Sequence, residues 1–333
     1  MAKVTAITAP HFHDEDAARA FLEAKRWPEG PICPHCGLIG EAYKITPKTA
    51  KSTTRKGVWK CAGCKKQFTV TVKTIFSDSK IALHKWLFAI HLLCASKKGM
   101  SAHQLHRMLG VTYKSAWFMA HRIRYAMTQE PLSSKLDGVV EIDETYVGGK
   151  IKRPNNPSNA PKVETAERAW GSRQGMGPGI NPRANKATVL SLVQRGGKVR
   201  SMHMDRVTHE TLKPLLDRML HDGTRVMTDS ATVLKFTGER WQHDMVNHSI
   251  GEYVRYEDGV CITTNTVESF FNILKRGLNG TYHHVSKRHL HFYLSEFDFR
   301  YNSRDVSDTD RALEALLGAD GKRLMYRDSS SRA

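Results

Sequence analysis

"VVEIDETYVGG" (residues 139–149) alternates apolar and polar positions from Val140 to Asp143 and closes on two glycines, the pattern of a half-buried strand ending in a turn. Val140 and Ile142 fall on one face, and Glu141, Asp143 and Thr145 on the other. A carboxylate in the middle of a strand is costly unless the site uses it. Downstream, "KATVLSLVQRGGKVRSMHMDRV" (186–207) reads as two strands around a Gly-Gly turn, "THETLKPLLDRMLHDG" (208–223) as a helix, and "RVMTDSA" (225–231) as a further strand. Three strands, a helix, another strand and later helix predict an α/β domain with a mixed sheet flanked by helices.

Two more acids join Asp143. Asp229 follows the apolar run of its strand, at the carboxyl end where α/β sheets collect ligands. Glu268 lies in "TTNTVESFFNILKRGLNG" (263–280), a helix with Asn265 or Thr266 as cap and Val267, Phe270, Phe271, Leu274 and Leu278 as its apolar stripe. Glu268, Asn272 and Lys275 share the flank, so a helix laid across the sheet edge aims Glu268 at both aspartates. Three crowded carboxylates repel one another unless cations neutralise them, and an oxygen-rich site suits magnesium or manganese. Two such ions clamp a scissile phosphate. Asp143, Asp229 and Glu268 are therefore the candidate catalytic residues and ligands of two divalent cations.

The first third of the chain has a different character. "DEDAARAFLEAKRW" (14–27) predicts a short packing helix. Cys33 and Cys36 form one C-x-x-C and Cys61 and Cys64 another, 24 residues apart, while Cys94 and Cys261 stand alone. Two matched pairs beside glycines and aromatics predict a structural zinc ribbon with all four thiolates as ligands; a redox pair or an iron site is the competing reading. "SKIALHKWLFAIHLLCAS" (79–96) carries a stripe for packing on one side. "SAHQLHRMLGVTYKSAWFMAHRIRYAM" (101–127) reads helix, Gly110 turn, helix, with Ser101 and Thr112 as N-caps. As a helix-turn-helix it presents Lys114, Arg122 and Arg124 to DNA; as an ordinary pair of core helices it presents nothing.

Lysine and arginine total 51 against 33 acids, a formal charge of +18 over 333 residues, which favours a polyanionic partner, nucleic acid first. No stretch has the apolar length of a membrane span, and the N-terminus lacks a signal peptide's core, so a cytoplasmic, nucleoid-associated protein without a membrane partner is expected. Lys275, Arg276, Lys287 and Arg288 lie in a stretch dense in cations and aromatics and are further candidate DNA contacts, against the alternative of a plain solvated face.

"EIDETYVGGK", "VMTDSA" and above all "TNTVESFFNILKRGLNGTYHHVSKRHLHFYLSEFDFRYN" (264–302) resemble the DDE transposases of bacterial insertion sequences, in the ISXO-like group with an N-terminal zinc ribbon. The resemblance runs from about residue 25 to 305. It implies an RNase H-like catalytic domain, Asp143, Asp229 and Glu268 as the catalytic acids, and cutting at terminal inverted repeats followed by joining to target DNA. Double-stranded DNA is the implied partner, with a homodimer or larger assembly holding two ends. Where family members tend to have His before "TNTVE", this chain has "CITTNTVE". The organisation expected is a helical segment (1–30), zinc ribbon (31–76), helix-turn-helix module (79–130), catalytic domain (137–305, with a basic insertion at 152–186) and C-terminal tail (306–333). A regulator that binds without cutting and a nuclease that cuts without joining are the alternatives.

Overall fold

The computed structural model describes residues 6–46, 55–128, 134–148, 186–229 and 240–326. The basic insertion expected at 152–186 lies, but for Lys186, outside the described residues. The chain divides into two units, 1–129 with 295–333, and 130–294.

In the first unit α1 (Glu15–Arg26) starts where Asp14 accepts a bond from the Ala17 amide, with Glu15 and Asp16 complementing the helix dipole. The ribbon is a three-stranded antiparallel sheet, β1 (Ala42–Lys44), β2 (Trp59–Cys61) and β3 (Gln67–Phe68). Trp27, which ends α1, meets Trp59 and Phe68 edge-on at 6.0 and 5.7 Å, and the Trp59 indole donates to Glu23 at 3.0 Å, so helix and ribbon share one aromatic seam. α2 (Leu83–Ala95) was expected to pack on one side. It has no exposed residue, because α1 covers it from one direction and α8 (Asp308–Leu317) from another. α3 (Ala102–Leu109) and α4 (Tyr113–Met127) are capped by Ser101 and Thr112, and Gly110 between them takes the left-handed φ of 60° that closes the turn. The expected C-terminal tail holds α8, whose Ala315 and Leu316 belong to the same core as Leu22, Trp86, Ile90, Leu105 and Ile123.

The second unit is built on a five-stranded sheet in the order β6-β5-β4-β7-β8: Val199–Met204, Ala187–Gln194, Val139–Val147, Arg225–Asp229 and Gln242–Val246. The first three strands pair antiparallel, and β4, β7 and β8 are parallel. Order and sense are those of the RNase H-like fold. Val140, Ile142, Leu190, Leu192 and Val226 meet Leu212 and Leu216 of α5 (His209–Met219), and Leu220 just past its end, on one face. Fully burying each such side chain contributes about 1.5–3 kcal/mol, which pins the strand register and hence the face that Asp143 occupies. On the other face α6 (Asn265–Gly277) crosses β4 and β5, with Val267, Phe270, Phe271 and Leu274 buried as its stripe predicts. β9 (Arg255–Glu257) and β10 (Val260–Ile262) form a hairpin before α6, and α7 (Lys287–Asn302) follows it; the division between the units falls inside α7.

Candidate active site

The sheet register decides where the acids stand. β4 and β7 run parallel with Val139 opposite Arg225 and Ile142 opposite Thr228, so one step further Asp143 and Asp229 are lateral neighbours, about 5 Å apart at the backbone as adjacent strands require. Both look to the face that α6 crosses. Glu268 sits in the first turn of that helix, where its Oε1 accepts from Thr264 Oγ1 at 3.3 Å and lies 3.7 Å from His248 Nε2. Asp143 is driven up to about 7, first by burial and then by the charges of Asp229, Glu268 and Glu144, against the opposing bond from the Glu144 amide. The three acids are thus brought within electrostatic reach, although they do not form a cluster as tight as the cysteines described below.

Such a group of hard oxygen donors, with negative charge unbalanced enough to hold a proton near neutrality, fits a divalent cation such as magnesium or manganese.

Two acids of the same stretch are otherwise engaged. Glu144 accepts from the Tyr146 hydroxyl at 2.6 Å. Glu141, fully buried, accepts from the amides of Thr266 and Val267, the Thr266 hydroxyl and the Arg195 guanidinium. Neither Asn265 nor Thr266 caps α6: the cap position falls on Thr264, which makes no side-chain cap bond. Thr263, in the position before "TNTVE", accepts from the Asn265 amide and donates to the Tyr253 carbonyl. His248, in a 3-10 turn (His248–Ile250), was missed by the sequence reading, as was Arg195 in the β5–β6 turn. Nothing near either residue in the chain marks it, since their partners lie across the fold.

The second site is the ribbon. Sγ of Cys33 lies 3.6 Å from that of Cys64, and Cys36 3.6 Å from Cys61, and all four sulfurs fall within 4.8 Å of one another. A tetrahedral zinc with bonds of about 2.3 Å separates its sulfurs by about 3.8 Å, so the quartet fits structural zinc with little adjustment. Burial opposes the Cys33 thiolate, yet bonds from the amides of Cys36 and His35 and from the Cys36 and Cys64 side chains together bring that thiol down to about 7.

The candidate DNA contacts divide. Lys114, Lys275, Arg276 and Lys287 are exposed and Arg288 half-buried. Arg122 and Arg124 are corrected: they are 8% and 2% exposed. Arg122 donates to the carbonyls of Ile75, Ser77 and Leu324, and Arg124 is paired with Glu296 at 2.6 Å, so both guanidinium groups hold the first unit together and neither faces a groove. In α4 only the first turn is open, with Tyr113 45% exposed beside Lys114.

A mixed sheet with acids side by side on its two central strands and a third on a helix across the face defines the RNase H-like class. Within it, residues 135–302 match the ISXO2-like transposase domain, and residues 13–67 the transposase zinc-ribbon domain. The chain belongs to the ISXO2-like transposase family. A protein in the transposable element ISH50 of Halobacterium salinarum is 27% identical over 300 residues, covering 87% of this chain and 91% of that relative. Two solved structures are similar at a distance. The Mos1 transposase paired-end complex with the left transposon end shares 12% identity over 71% of this chain and 79% of its own, at a TM-score of 0.21. The Mos1 strand transfer complex shares 13% over 72% and 79%, at 0.20. Likenesses that low carry no argument about this chain. Among the described residues no helix is long and apolar enough to cross a membrane.

Proposed function

We propose that this chain binds the terminal inverted repeats of an insertion sequence as a homodimer or larger assembly, cleaves there and joins the freed ends to target DNA. Asp143, Asp229 and Glu268 hold two divalent cations, magnesium or manganese, at the scissile phosphate. Bound there, such ions activate the attacking oxygen and stabilise the leaving one. The protein's own part is to bring three carboxylates from β4, β7 and α6 within electrostatic reach of one another, while the Arg195 guanidinium is committed to Glu141. The observation that supports the reading is the parallel register of β4 and β7, which ends one step short of Asp143 and Asp229, together with the charges of Asp229 and Glu268 adding to burial in raising Asp143 to about 7. The zinc ribbon and the first turn of α4, with Lys114, supply end binding; Lys275, Arg276, Lys287 and Arg288 contact phosphates.

The test uses the full chain, manganese or magnesium, and a labelled duplex carrying the inverted repeat found beside the gene. Cleavage and strand transfer are expected from the natural protein. Asp143→Asn, Asp229→Asn and Glu268→Gln are each expected to slow cleavage at least about a hundredfold, because several kcal/mol of charge stabilisation goes with the ligand, while binding to the end persists. A variant that cuts at the natural rate removes its residue from the site. Cleavage without joined products identifies a nuclease, and binding without cleavage a regulator.

A further inference from the structure

Glu141 lies two residues from Asp143 on the same face of β4, yet its surroundings give it a different task. It is 0% exposed, and an ionised carboxylate in that position is tolerated only when its lone pairs are occupied. They are. A carboxylate offers about four lone-pair sites. Oε2 accepts from the amides of Thr266 (2.7 Å) and Val267 (3.0 Å), and Oε1 from the Thr266 hydroxyl (2.9 Å) and Arg195 Nε (2.7 Å). No lone pair is left to face a cation.

The two amides belong to the first turn of α6, where backbone donors have no partner within the helix. Thr264 at the cap position bonds none of them through its side chain. The negative group at the positive end of α6 is therefore supplied by the strand that carries Asp143. Arg195 extends the hold. Besides Glu141 it donates to the carbonyls of Cys261 (2.6 Å) and Thr263 (2.9 Å) and to Met227 Sδ (3.0 Å), so the chain entering α6 is tied to β7 as well as to β4. Glu268 is the residue after Val267. A small slide of the helix start along the sheet moves its carboxylate relative to Asp143 and Asp229, and charge-stabilising sites lose strength steeply with such displacement.

Building on the reading that Asp143, Asp229 and Glu268 bind divalent cations, we propose that Glu141 is a positioning residue: clamped by Arg195, it docks the N-terminus of α6 on β4 and so sets where Glu268 stands, without touching the metal.

Manganese binding to the full chain, followed by the electron paramagnetic resonance signal of the free ion, tests this without reference to activity. Glu141→Gln keeps the shape but presents an amide group to donors that need an oxygen, and is expected to weaken manganese binding about tenfold, the lower end of what removal of a ligand's supporting partner does. In a Glu268→Gln background the same change is expected to weaken it no further, because Glu141 acts through Glu268. Arg195→Lys, which keeps the charge but cannot reach four acceptors, is expected to give a smaller loss of a few-fold, and it answers the question if Glu141→Gln does not fold. Additive losses in the double variant overturn the proposal, since they make Glu141 a ligand in its own right. So does natural affinity in both Glu141→Gln and Arg195→Lys. If the natural chain binds no manganese, the proposed function falls along with this inference; if it binds, and Asp143→Asn abolishes binding while Glu141→Gln leaves it intact, only this inference falls.

Discussion

A carboxyl group that titrates near neutrality inside a folded chain destabilises that chain whenever it is ionised, and Asp143 is such a group. Its ordinary value of 3.8 is raised to about 7, by burial first and by its acidic neighbours second. The sign follows from linkage: above pH 3.8 the unfolded chain releases this proton while the folded one retains it. Stability therefore declines from about pH 4 to about pH 7 and is not recovered above that. Asp143→Asn removes the penalty. In buffer without magnesium or manganese it should melt above the natural protein at pH 8, by up to about 4 kcal/mol at ~1.4 kcal/mol per tenfold change in proton affinity, and the two should converge near pH 4. Added manganese should raise the melting point of the natural chain alone. An equal gap at both pH values would remove the cause assigned here. Asp143 was legible in the sequence because strand alternation is local: a period of two places it opposite Val140 and Ile142 whatever the rest of the chain does. Arg122 and Arg124 were misread because helical phase leaves open whether a charged flank meets solvent or another helix. The partner that decides the question for Arg124, Glu296, is 172 positions away.

Helices and strands divide along the same line between local and distant causes. The ribbon was legible from two C-x-x-C turns and α6 from its stripe, each within a short window. The group that docks α6 was not, because Glu141 bonds Thr266 across 125 positions. β8 passed unread because only Val246 of its five residues is fully buried, leaving no alternation to see. An energetic consequence belongs to α4 and α7. Glu296, fully buried, lies between Arg124 and Arg300 and accepts from both. Glu296→Ala leaves two buried guanidinium groups without their carboxylate, a change that destabilises by about 3–5 kcal/mol where it has been isolated. The midpoint of urea unfolding should fall accordingly, with Lys114→Ala, at an exposed position, staying within about 0.5 kcal/mol of the natural protein. Similar midpoints in the two variants would mean that the triad is replaceable by water.

At the scale of the whole chain, the first unit is assembled from both ends of the sequence, residues 1–129 and 295–333. A linear reading set residues 306–333 apart as a C-terminal tail, because nothing local in that stretch names its partners in the first third of the chain. Of that segment, α8 and the residues up to Leu324 pack into the core, with Ala315, Leu316, Ala319 and Leu324 buried. Arg311 of α8 donates to the Cys94 and Ser303 carbonyls at 3.2 and 3.0 Å, Arg26 pairs with Asp320, Arg122 holds the Leu324 carbonyl, and Lys322 reaches the carbonyls of Ala126 and Thr128 at 3.1 and 2.7 Å. Ending the chain at residue 305 removes Leu316, Ala319 and Leu324 from the core and leaves the guanidinium of Arg122 without one of its acceptors. Cys94 reports the result. Its thiol is buried and pushed up to about 12, first by that burial, so it has almost no reactive thiolate at pH 8. In the full chain it should resist a thiol reagent indefinitely; in the shortened chain, with α8 no longer covering α2, it should react within minutes at the same pH. The first unit should then melt at lower temperature, and the repeat binding proposed for it should weaken, since the ribbon and α4 rest on that core. A shortened chain with a silent Cys94 and an unchanged melting point would show that α2, α4 and the ribbon hold together without their C-terminal partner.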